Sequence, residues 1–245
     1  MEPITIDLNA DLGEGYPFDA ELMDIVTSAN ICSGAYISDE DHVRSAIVLA
    51  TEADVRIGIH VGYPDIERFG RVAAFQSPRD FESALHRQVD QFLEMVESAN
   101  GSVFYLKPHG ALYHDLIPES DLWDVLFKVC DTHGWPLMHL ADSNFLKVAA
   151  TVAGAVNEAF IDRRYATVGS LEDRSLEGAV ITDEEEVLAQ AVSIATGKVI
   201  LSDGIEKPIS AQSLCLHGDT PGALTLASSV KERLHEKLFM IAPFI

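Results

Sequence analysis

Polar and ionisable residues of this 245-residue sequence fall into groups, and most groups are placed where a predicted β-strand ends. The groups are Asn9, Asp11 and Glu14; Ser28, Asn30, Ser33 and Tyr36; His60, Tyr63 and Asp65; Lys107, His109 and Tyr113; Asp162 and Arg163; and His217 and Asp219. In parallel βα folds the carboxyl ends of the strands meet on one face, where active sites lie. Six groups in this position therefore predict one shared site.

Asp11, His60 and His109 would suit a divalent metal ion. Imidazole and carboxylate are ligands of zinc and similar ions, and three protein ligands leave a position for water. Such an ion would lower the pKa of that water and polarise a carbonyl group. The sequence therefore predicts a candidate metal site at these three positions.

The same region would support acid–base chemistry without a metal. Asp11 or Glu14 would activate water as general base, and His109 would protonate a leaving nitrogen. Lys107 would stabilise an oxyanion, or hold a carboxylate or a phosphate. Cys215 has no evident base beside it and is a poor candidate for a nucleophile.

Several of these residues also have a structural interpretation, which the sequence leaves open. Asp11 would organise a turn beside Gly13, and His60 would be a hydrogen-bonded core histidine. Asp219 would cap a helix that begins near Pro221. The remaining histidines have no companion pattern, and we interpret them as structural or exposed: His42, His86, His114, His133, His139 and His235.

Short β-rich runs alternate with amphipathic helical patterns along the chain. Strands are predicted over 4–8, 56–60, 103–106, 137–140, 159–161, 213–217 and 239–242, and helices over 19–28, 39–53, 78–99, 119–132, 144–156, 183–195 and 221–237. This alternation indicates a parallel α/β sheet with helical crossovers. No G-x-G-x-x-G follows the first strand and no P-loop occurs, so a closed or nearly closed barrel of seven or eight mostly parallel strands fits better than an open Rossmann sheet. We expect a single barrel domain over residues 1–245.

The composition disfavours several classes of partner. Lys and Arg total 17 against 39 Asp and Glu, and the formal net charge of -22 disfavours nucleic acid and anionic lipid surfaces. No apolar run reaches the ~18 residues that span a bilayer, and the first residues do not follow a signal-peptide pattern. Cys32, Cys130 and Cys215 are far apart and form no CxxC, so we expect reduced thiols in the cytoplasm.

Longer motifs of the sequence resemble the LamB/YcsF family nearly from end to end. The most specific motif is Lys107-Pro108-His109-Gly110-Ala111-Leu112-Tyr113. The others, in chain order, are IDLNADLGEG (6–15), DAEL (19–22), SANI (28–31), IGIH (57–60), YPD (63–65), FGR (69–71), DR (162–163), RS (174–175), GAVI (178–181) and CLHGD (215–219).

The resemblance implies a distorted (β/α) barrel like that of glycoside hydrolases and polysaccharide deacetylases. It also implies the A subunit of a 5-oxoprolinase, which hydrolyses 5-oxo-L-proline to L-glutamate with ATP and Mg together with subunits B and C. A five-membered lactam is a stable amide whose nitrogen leaves poorly, and phosphorylating the amide oxygen would make the ring carbon more electrophilic. Ring opening then needs a positioned water, a base and an acid.

For that reaction we predict catalytic roles for Asp11, Glu14, Lys107 and His109. A bound divalent metal is left open. Ligand contacts are predicted for Asn9, Asn30, Tyr36, Asp65, Arg71, Tyr113, Asp162, Arg163, His217 and Asp219.

One stretch departs from the family. After Ser-Ala-Asn-Ile the family usually reads Ala-Cys-Gly-Phe-His-Ala-Gly-Asp, whereas this chain has Ser33 in place of the cysteine and Tyr36 in place of the histidine. A phenol is a poorer metal ligand than imidazole, which weakens the metal hypothesis. Two alternatives to the oxoprolinase therefore stay open: a stand-alone metal-dependent amide hydrolase resembling deacetylases, and a non-catalytic protein that binds a small carboxylate.

Overall fold

The computed structural model describes residues 4–73, 77–118 and 120–244. Its strands are β1 (Thr5–Leu12), β2 (Ser28–Cys32), β3 (Arg56–Val61), β4 (Val103–Pro108), β5 (Leu137–Leu140), β6 (Ala155–Phe160), β7 (Tyr165–Thr167), β8 (Ser170–Leu171), β9 (Lys198–Ile200), β10 (Glu206–Pro208), β11 (Ser213–Leu216) and β12 (Met240–Ile241). Its helices are α1 (Asp19–Met23), α2 (Glu40–Glu52), α3 (Pro78–Ser98), α4 (Gly110–Asp115), α5 (Leu122–His133), α6 (Asn144–Val152), α7 (Glu184–Ala195) and α8 (Ala223–Glu236).

Seven parallel strands close into a barrel in the order β1, β2, β3, β4, β5, β6 and β11, and β11 pairs back to β1. The short strand β12 adds to the beginning of β1, in parallel with it. Two small antiparallel pairs, β7–β8 and β9–β10, lie outside the barrel sheet. The closed barrel confirms the predicted fold class.

The barrel interior is polar, and β1 shows why. Apolar residues of this strand alternate with Asp7, Asn9 and Asp11, and successive side chains of a strand point to opposite faces. Asp11 contacts Lys107 of β4, although β1 and β4 are not neighbours in the sheet. That contact therefore crosses the interior, which places the odd-numbered polar residues of β1 inside the barrel and the apolar ones against the helices.

An aromatic residue closes the lower end of the interior. Tyr105 is fully buried and packs with Met138 and Val156 as a small apolar cluster. Its ring occupies the space beside Gly58 of β3, where an added Cβ would lie 2.1 Å from a ring carbon. Above this cluster the interior is filled by hydrogen-bonded polar side chains. The Tyr105 hydroxyl is the first of these groups, and it donates to Asn30 Oδ1 at 2.7 Å.

The outer helices follow the predicted spacing closely. In α3, Phe81, Leu85, Phe92 and Val96 are buried, which is the face that the helical periodicity predicts. Ser77 caps the helix by accepting a hydrogen bond from the Asp80 backbone N–H. The helices thus cover the apolar outer face of the strands and leave the polar interior open only at the strand ends.

Three predicted boundaries were wrong in ways that matter for the site. Strand β1 continues to Leu12, so Asn9 and Asp11 lie within it. The predicted helix over 19–28 ends at Met23, and β2 follows it. The predicted helix over 144–156 ends at Val152, and β6 begins at Ala155. The common cause is that barrel strands rich in Ser, Asn, Asp and Glu lack the β-branched and aromatic composition expected of strands.

The sequence analysis did not predict helix α4 or the two hairpins, β7–β8 and β9–β10. One helix was predicted to begin at Glu119, which lies outside the described residues. In the structure this helix, α5, begins at Leu122. None of the helices in the described ranges is both long enough and apolar enough to cross a membrane.

Candidate active site

A cavity of about 510 Å³ opens at the carboxyl ends of the barrel strands. Ten of the predicted site residues line it: Asp11, Glu14, His60, Arg71, Lys107, His109, Tyr113, Arg163, His217 and Asp219. They come from β1, β3, β4 and the loops that follow β1, β3, β4, β6 and β11. The structure therefore brings the predicted strand-end groups to one place.

Lys107 lies at the base of this cavity, and acidic groups surround it. Its Nζ lies 2.8 Å from Asp11 Oδ1 and 2.8 Å from Glu158 Oε1, and it donates to Cys215 Sγ at 3.4 Å. Burial alone lowers the pKa of this ammonium, but the charges of Asp11 and Glu158 raise it well above its usual value. Two carboxylates around one cation oppose an incoming anion, so the surroundings of Lys107 differ from those expected of a carboxylate or phosphate binder.

Asp11 is held as an ionised carboxylate. Burial raises the pKa of Asp11, but the charges of Lys107 and His60 bring it well below its usual value. Asn30 Nδ2 also donates to Asp11 Oδ1 at 2.8 Å. Asp11 is therefore a fixed negative charge within the barrel wall, and the turn role that the sequence left open for it does not apply.

Two histidines face each other above Asp11. His60 Nδ1 lies 3.2 Å from the carbonyl oxygen of Lys107, and His109 Nε2 lies 3.0 Å from that of Phe69. Because a carbonyl oxygen only accepts, we assign one ring proton to each of these two nitrogens. The other nitrogens, His60 Nε2 and His109 Nδ1, are 3.1 Å apart. They lie at hydrogen-bond distance from each other, an arrangement suited to a shared proton or a cation.

Glu14 completes this group. Its Oε1 lies 3.8 Å from His60 Nε2 and 3.4 Å from His109 Nδ1, and among the described residues these three side chains alone place ligand atoms within 4.8 Å of one another. Carboxylate and imidazole fit zinc or a similar ion. The predicted metal set of Asp11, His60 and His109 differs from this cluster in one residue. Lys107 engages Asp11 Oδ1, whereas Asp11 Oδ2 lies 3.5 Å from His60 Nε2. The metal site stays a prediction.

The pKa shifts of Glu14 and His109 favour roles other than those predicted from the sequence. Burial, and then the charge of Asp11, raises the pKa of Glu14 well above its usual value. Burial, and then the charge of His60, lowers the pKa of His109 well below its usual value. The first shift favours the protonated form of Glu14, and the second favours the neutral form of His109. These shifts favour Glu14 as acid and His109 as base, whereas the roles given from the sequence stay a prediction.

Tyr36, at the position of the family histidine, packs behind this pair. Its ring stacks on that of His109, with centroids 3.7 Å apart and planes 4° apart. Its hydroxyl donates to Glu14 Oε1 at 3.1 Å, and the residue is fully buried. Tyr36 does not line the cavity. It orients both candidate acid–base residues.

Arginines from separate loops occupy the outer part of the cavity. Arg71 Nη2 lies 2.7 Å from Asp219 Oδ2, and Arg174 Nη2 lies 2.9 Å from both Asp219 oxygens. Burial raises the pKa of Asp219, but its hydrogen bond and charge interaction with Arg174 lower it below its usual value. Asp219 thus joins three loops as an ionised carboxylate. It is not a helix cap, because α8 begins after Gly222.

Four other predicted ligand contacts lie behind the lining. Asn9 and Asn30 are fully buried in the barrel interior and bond to each other at 2.7 Å. Asp162 is fully buried and accepts from the backbone N–H of His217, which it holds in place. Asp65 lies 2.7 Å from Arg68 Nε, away from the cavity lining. None of the four lines the cavity, and their direct contact with a ligand stays a prediction.

Sequence reasoning missed a second set of cavity residues: His114, Asp115, Phe160, Leu171, Glu172, Asp173 and Arg174. His114 had been interpreted as structural or exposed, because α4 was not predicted. Glu158, buried beside Lys107, fell just outside a strand predicted to begin at Ala159. Arg174 was part of a family motif, which was the one signal that could have identified it.

Comparisons with known proteins identify relatives over nearly the whole chain. A model of the LamB/YcsF family matches residues 6–245. The A subunit of 5-oxoprolinase from Vibrio cholerae serotype O1 is 37% identical over 246 residues, covering 96% of this chain and 100% of that protein. The lactam utilization protein of Thermus thermophilus superposes with a TM-score of 0.89 at 30% identity, over 97% of this chain and 99% of that one.

A family 4 carbohydrate esterase from Streptomyces lividans shares the fold, with a TM-score of 0.52 at 10% identity over 97% of this chain and 91% of that one. This likeness confirms the predicted similarity to the deacetylase type of barrel.

Proposed function

The chain belongs to the LamB/YcsF family, and from that premise we propose that it is the A subunit of a 5-oxoprolinase. With subunits B and C it hydrolyses 5-oxo-L-proline to L-glutamate, using ATP and Mg. It works in the cytoplasm, in keeping with its three buried cysteines, which are free thiols. The observation that carries the proposal is the single cavity in which Asp11, Glu14, Lys107 and His109 meet.

The lactam bond explains why ATP is needed. The ring amide is stabilised by resonance, and its nitrogen is a poor leaving group. Transfer of a phosphoryl group to the amide oxygen makes the ring carbon electrophilic. Water then adds to that carbon, the ring C–N bond breaks, and the nitrogen takes up a proton, which leaves a γ-glutamyl phosphate. A second water hydrolyses this acyl phosphate to L-glutamate and inorganic phosphate.

The cavity residues divide these steps. His109 is neutral and takes the proton from the attacking water, whereas Glu14 is protonated and donates to the ring nitrogen. Their contact atoms are 3.4 Å apart, so both reach one small ligand. Lys107 and Asp11 form the fixed ion pair beneath them.

A coupled assay tests the proposal directly. The purified chain is incubated with 5-oxo-L-proline and ATP, with and without subunits B and C, while ADP and glutamate are measured. We expect both products only when all three subunits are present. Absence of glutamate from the complete mixture would refute the assignment.

A second candidate function is a stand-alone metal-dependent amide hydrolase. The observation in its favour is the cluster of Glu14, His60 and His109, whose chemistry suits a divalent ion. Such an ion would polarise an amide carbonyl and activate water. Stoichiometric zinc in the purified chain, together with chelator-sensitive amidase activity without partners, would support this function over the first.

A third candidate function is a small-carboxylate binding protein without turnover, and Tyr36 is the residue that favours it. Tyr36→His in the assembled enzyme separates this candidate from the first. A large gain in rate would mean that the natural site is impaired. An unchanged or lower rate would mean that Tyr36 serves catalysis.

A further inference from the structure

Three guanidinium groups meet at the outer part of the cavity in a chain whose net charge is -22. Two of them, Arg71 and Arg174, share the carboxylate of Asp219. The third, Arg163, has no such partner. Its side chain makes one hydrogen bond among the described residues, from Nη2 to the carbonyl oxygen of Glu172 at 2.7 Å.

Arg163 is buried although its side chain makes only this one hydrogen bond among the described residues. The residue is only 2% exposed, and its Nε has no hydrogen-bond partner in the part of the chain that the structure describes. A buried charge to which no carboxylate bonds directly is costly, because it loses its hydration. Burial, and then the nearby charge of Arg174, lowers the pKa of the Arg163 guanidinium, and the charges of Asp162 and Asp173 offset only part of this. Two cations held near each other in a cavity are stabilised when an anion binds between them.

The inner part of the cavity has the opposite character. Lys107 there is already enclosed by Asp11 and Glu158, so an anion approaching it meets two carboxylates. An anionic ligand is therefore directed to the arginine side. Phe160 lies between the two parts, with Lys107 Nζ 5.4 Å from its ring centroid and the His217 ring stacked against it.

We propose that Arg163, with Arg174 beside it, binds the carboxylate of the small ligand and so selects for lactams that carry one. This inference rests on the proposed function, since it takes 5-oxoproline as the ligand. Guanidinium recognises a planar carboxylate through paired hydrogen bonds. A phosphoryl group presents the same chemistry to arginine, and titration with inorganic phosphate separates the two sources.

The first measurement uses the unaltered chain and needs no variant. Isothermal titration compares 5-oxo-L-proline with 2-pyrrolidinone, which is the same lactam without the carboxylate, and with inorganic phosphate. We expect 5-oxo-L-proline to bind about 10- to 100-fold more tightly than 2-pyrrolidinone, the range for hydrogen bonds to charged groups. Equal affinity for the two lactams, or no binding of either, overturns the proposal. Phosphate binding that excludes the lactam assigns the site to a phosphoryl group instead.

Variants locate the effect at one residue, and the chain offers a matched control next to it. Arg164 is exposed and pairs with Glu186 at 2.6 Å, and it does not line the cavity. We expect Arg163→Gln to remove the preference for 5-oxo-L-proline and Arg164→Gln to retain it. Arg163→Lys keeps the charge without the planar fork and should give an intermediate affinity. Equal behaviour of the Gln variants contradicts the proposal.

Kinetics of the assembled enzyme keep this inference separate from the proposed function. We expect Arg163→Gln to raise KM for 5-oxo-L-proline far more than it lowers kcat, with the KM for ATP unchanged. Carboxylate-selective binding by a chain that yields no glutamate with its partners would refute the function and leave the inference intact. If the assembled enzyme turns over and Arg163→Gln does not change KM for 5-oxo-L-proline, the inference is refuted and the proposed function remains.

Discussion

The two sides of the cavity are built differently. The wall group consists of strand residues that are at most 7% exposed: Asp11, His60, Lys107 and Glu158. The rim group consists of residues on loops: Arg71, Arg163, Arg174 and Asp219. Two of the rim arginine side chains are 44% and 35% exposed. Charges in the wall have partners only within the protein, whereas those in the rim can exchange partners with a ligand.

This contrast predicts different effects of substitution on folding stability and on ligand affinity. Replacing a wall residue leaves a buried charge uncompensated, which destabilises the fold as well as the chemistry. Arg71 and Arg174 are the exposed members of the rim, where ion pairs contribute little to folding. We therefore expect wall variants to lose stability and variants of these two arginines to lose affinity.

The largest effect is expected at the centre of the wall. Lys107→Met removes the only ammonium between Asp11 and Glu158, leaving two buried carboxylates. We expect the free energy of unfolding to fall by about 3–5 kcal/mol, with glutamate formation abolished. Urea denaturation measures this. The matched control is Lys128→Met, whose side chain is 73% exposed and pairs with Glu82; it should change stability by less than about 1 kcal/mol. Equal losses in the two variants would remove the distinction between wall and rim.

Next in size is an effect on rate rather than on folding. Glu14→Gln keeps a neutral side chain of the same shape but cannot donate an acidic proton. We expect turnover in the assembled enzyme to fall by about 10²- to 10⁴-fold. The exposed Glu21 of α1 supplies the control variant, Glu21→Gln, which should turn over normally.

The same variant has a signature in stability. The pKa of Glu14 is raised in the folded state, so its contribution is fully present below the usual value of 4.5 and is lost as pH rises through the folded pKa. Wild type should therefore become less stable relative to Glu14→Gln as pH rises through that window. A constant difference between the two unfolding curves would show that Glu14 is ionised in the fold.

Each side of the cavity contains one residue that the sequence analysis did not identify, Glu158 in the wall and Arg174 in the rim. Asp11, His60 and Lys107 sit at strand ends, where the change from apolar to polar residues marks the site. Arg174 lies in a loop with no periodicity, and only the fold brings it to Asp219. The pKa shifts of Glu14 and His109 could not be predicted, because burial and neighbouring charges set them and neither is visible in a sequence.

A smaller effect is expected one layer below the wall group, at Asp7. Its carboxylate accepts from the hydroxyls of Thr27, Ser28 and Ser213. Burial raises the pKa of Asp7 from 3.8 to about 6, despite these hydrogen bonds. A raised pKa means that stability is greatest below 3.8 and falls as pH rises through 6. The difference corresponds to at most about 3 kcal/mol.

Asp7→Asn should remove this dependence. The variant carries no ionisable group at the position, so its unfolding free energy relative to wild type should increase between about pH 4 and about 6.5. Thermal unfolding across that range measures the change, with the exposed Asp131→Asn as control. A parallel pair of curves for wild type and Asp7→Asn would mean that the barrel interior is wetter than its burial indicates.

The smallest effect on folding is expected at the rim, in Arg174→Gln. Asp219 keeps its contact with Arg71 at 2.7 Å when Arg174 is removed, so no buried charge loses its last partner. We expect the free energy of unfolding to change by less than about 1 kcal/mol, comparable with Arg44→Gln at the surface pair with Glu40. KM for 5-oxo-L-proline should nevertheless rise several-fold in Arg174→Gln alone, because the cation beside Arg163 is lost. A large loss of stability with an unchanged KM would assign the rim to folding, and the division between the two sides of the cavity would then fail.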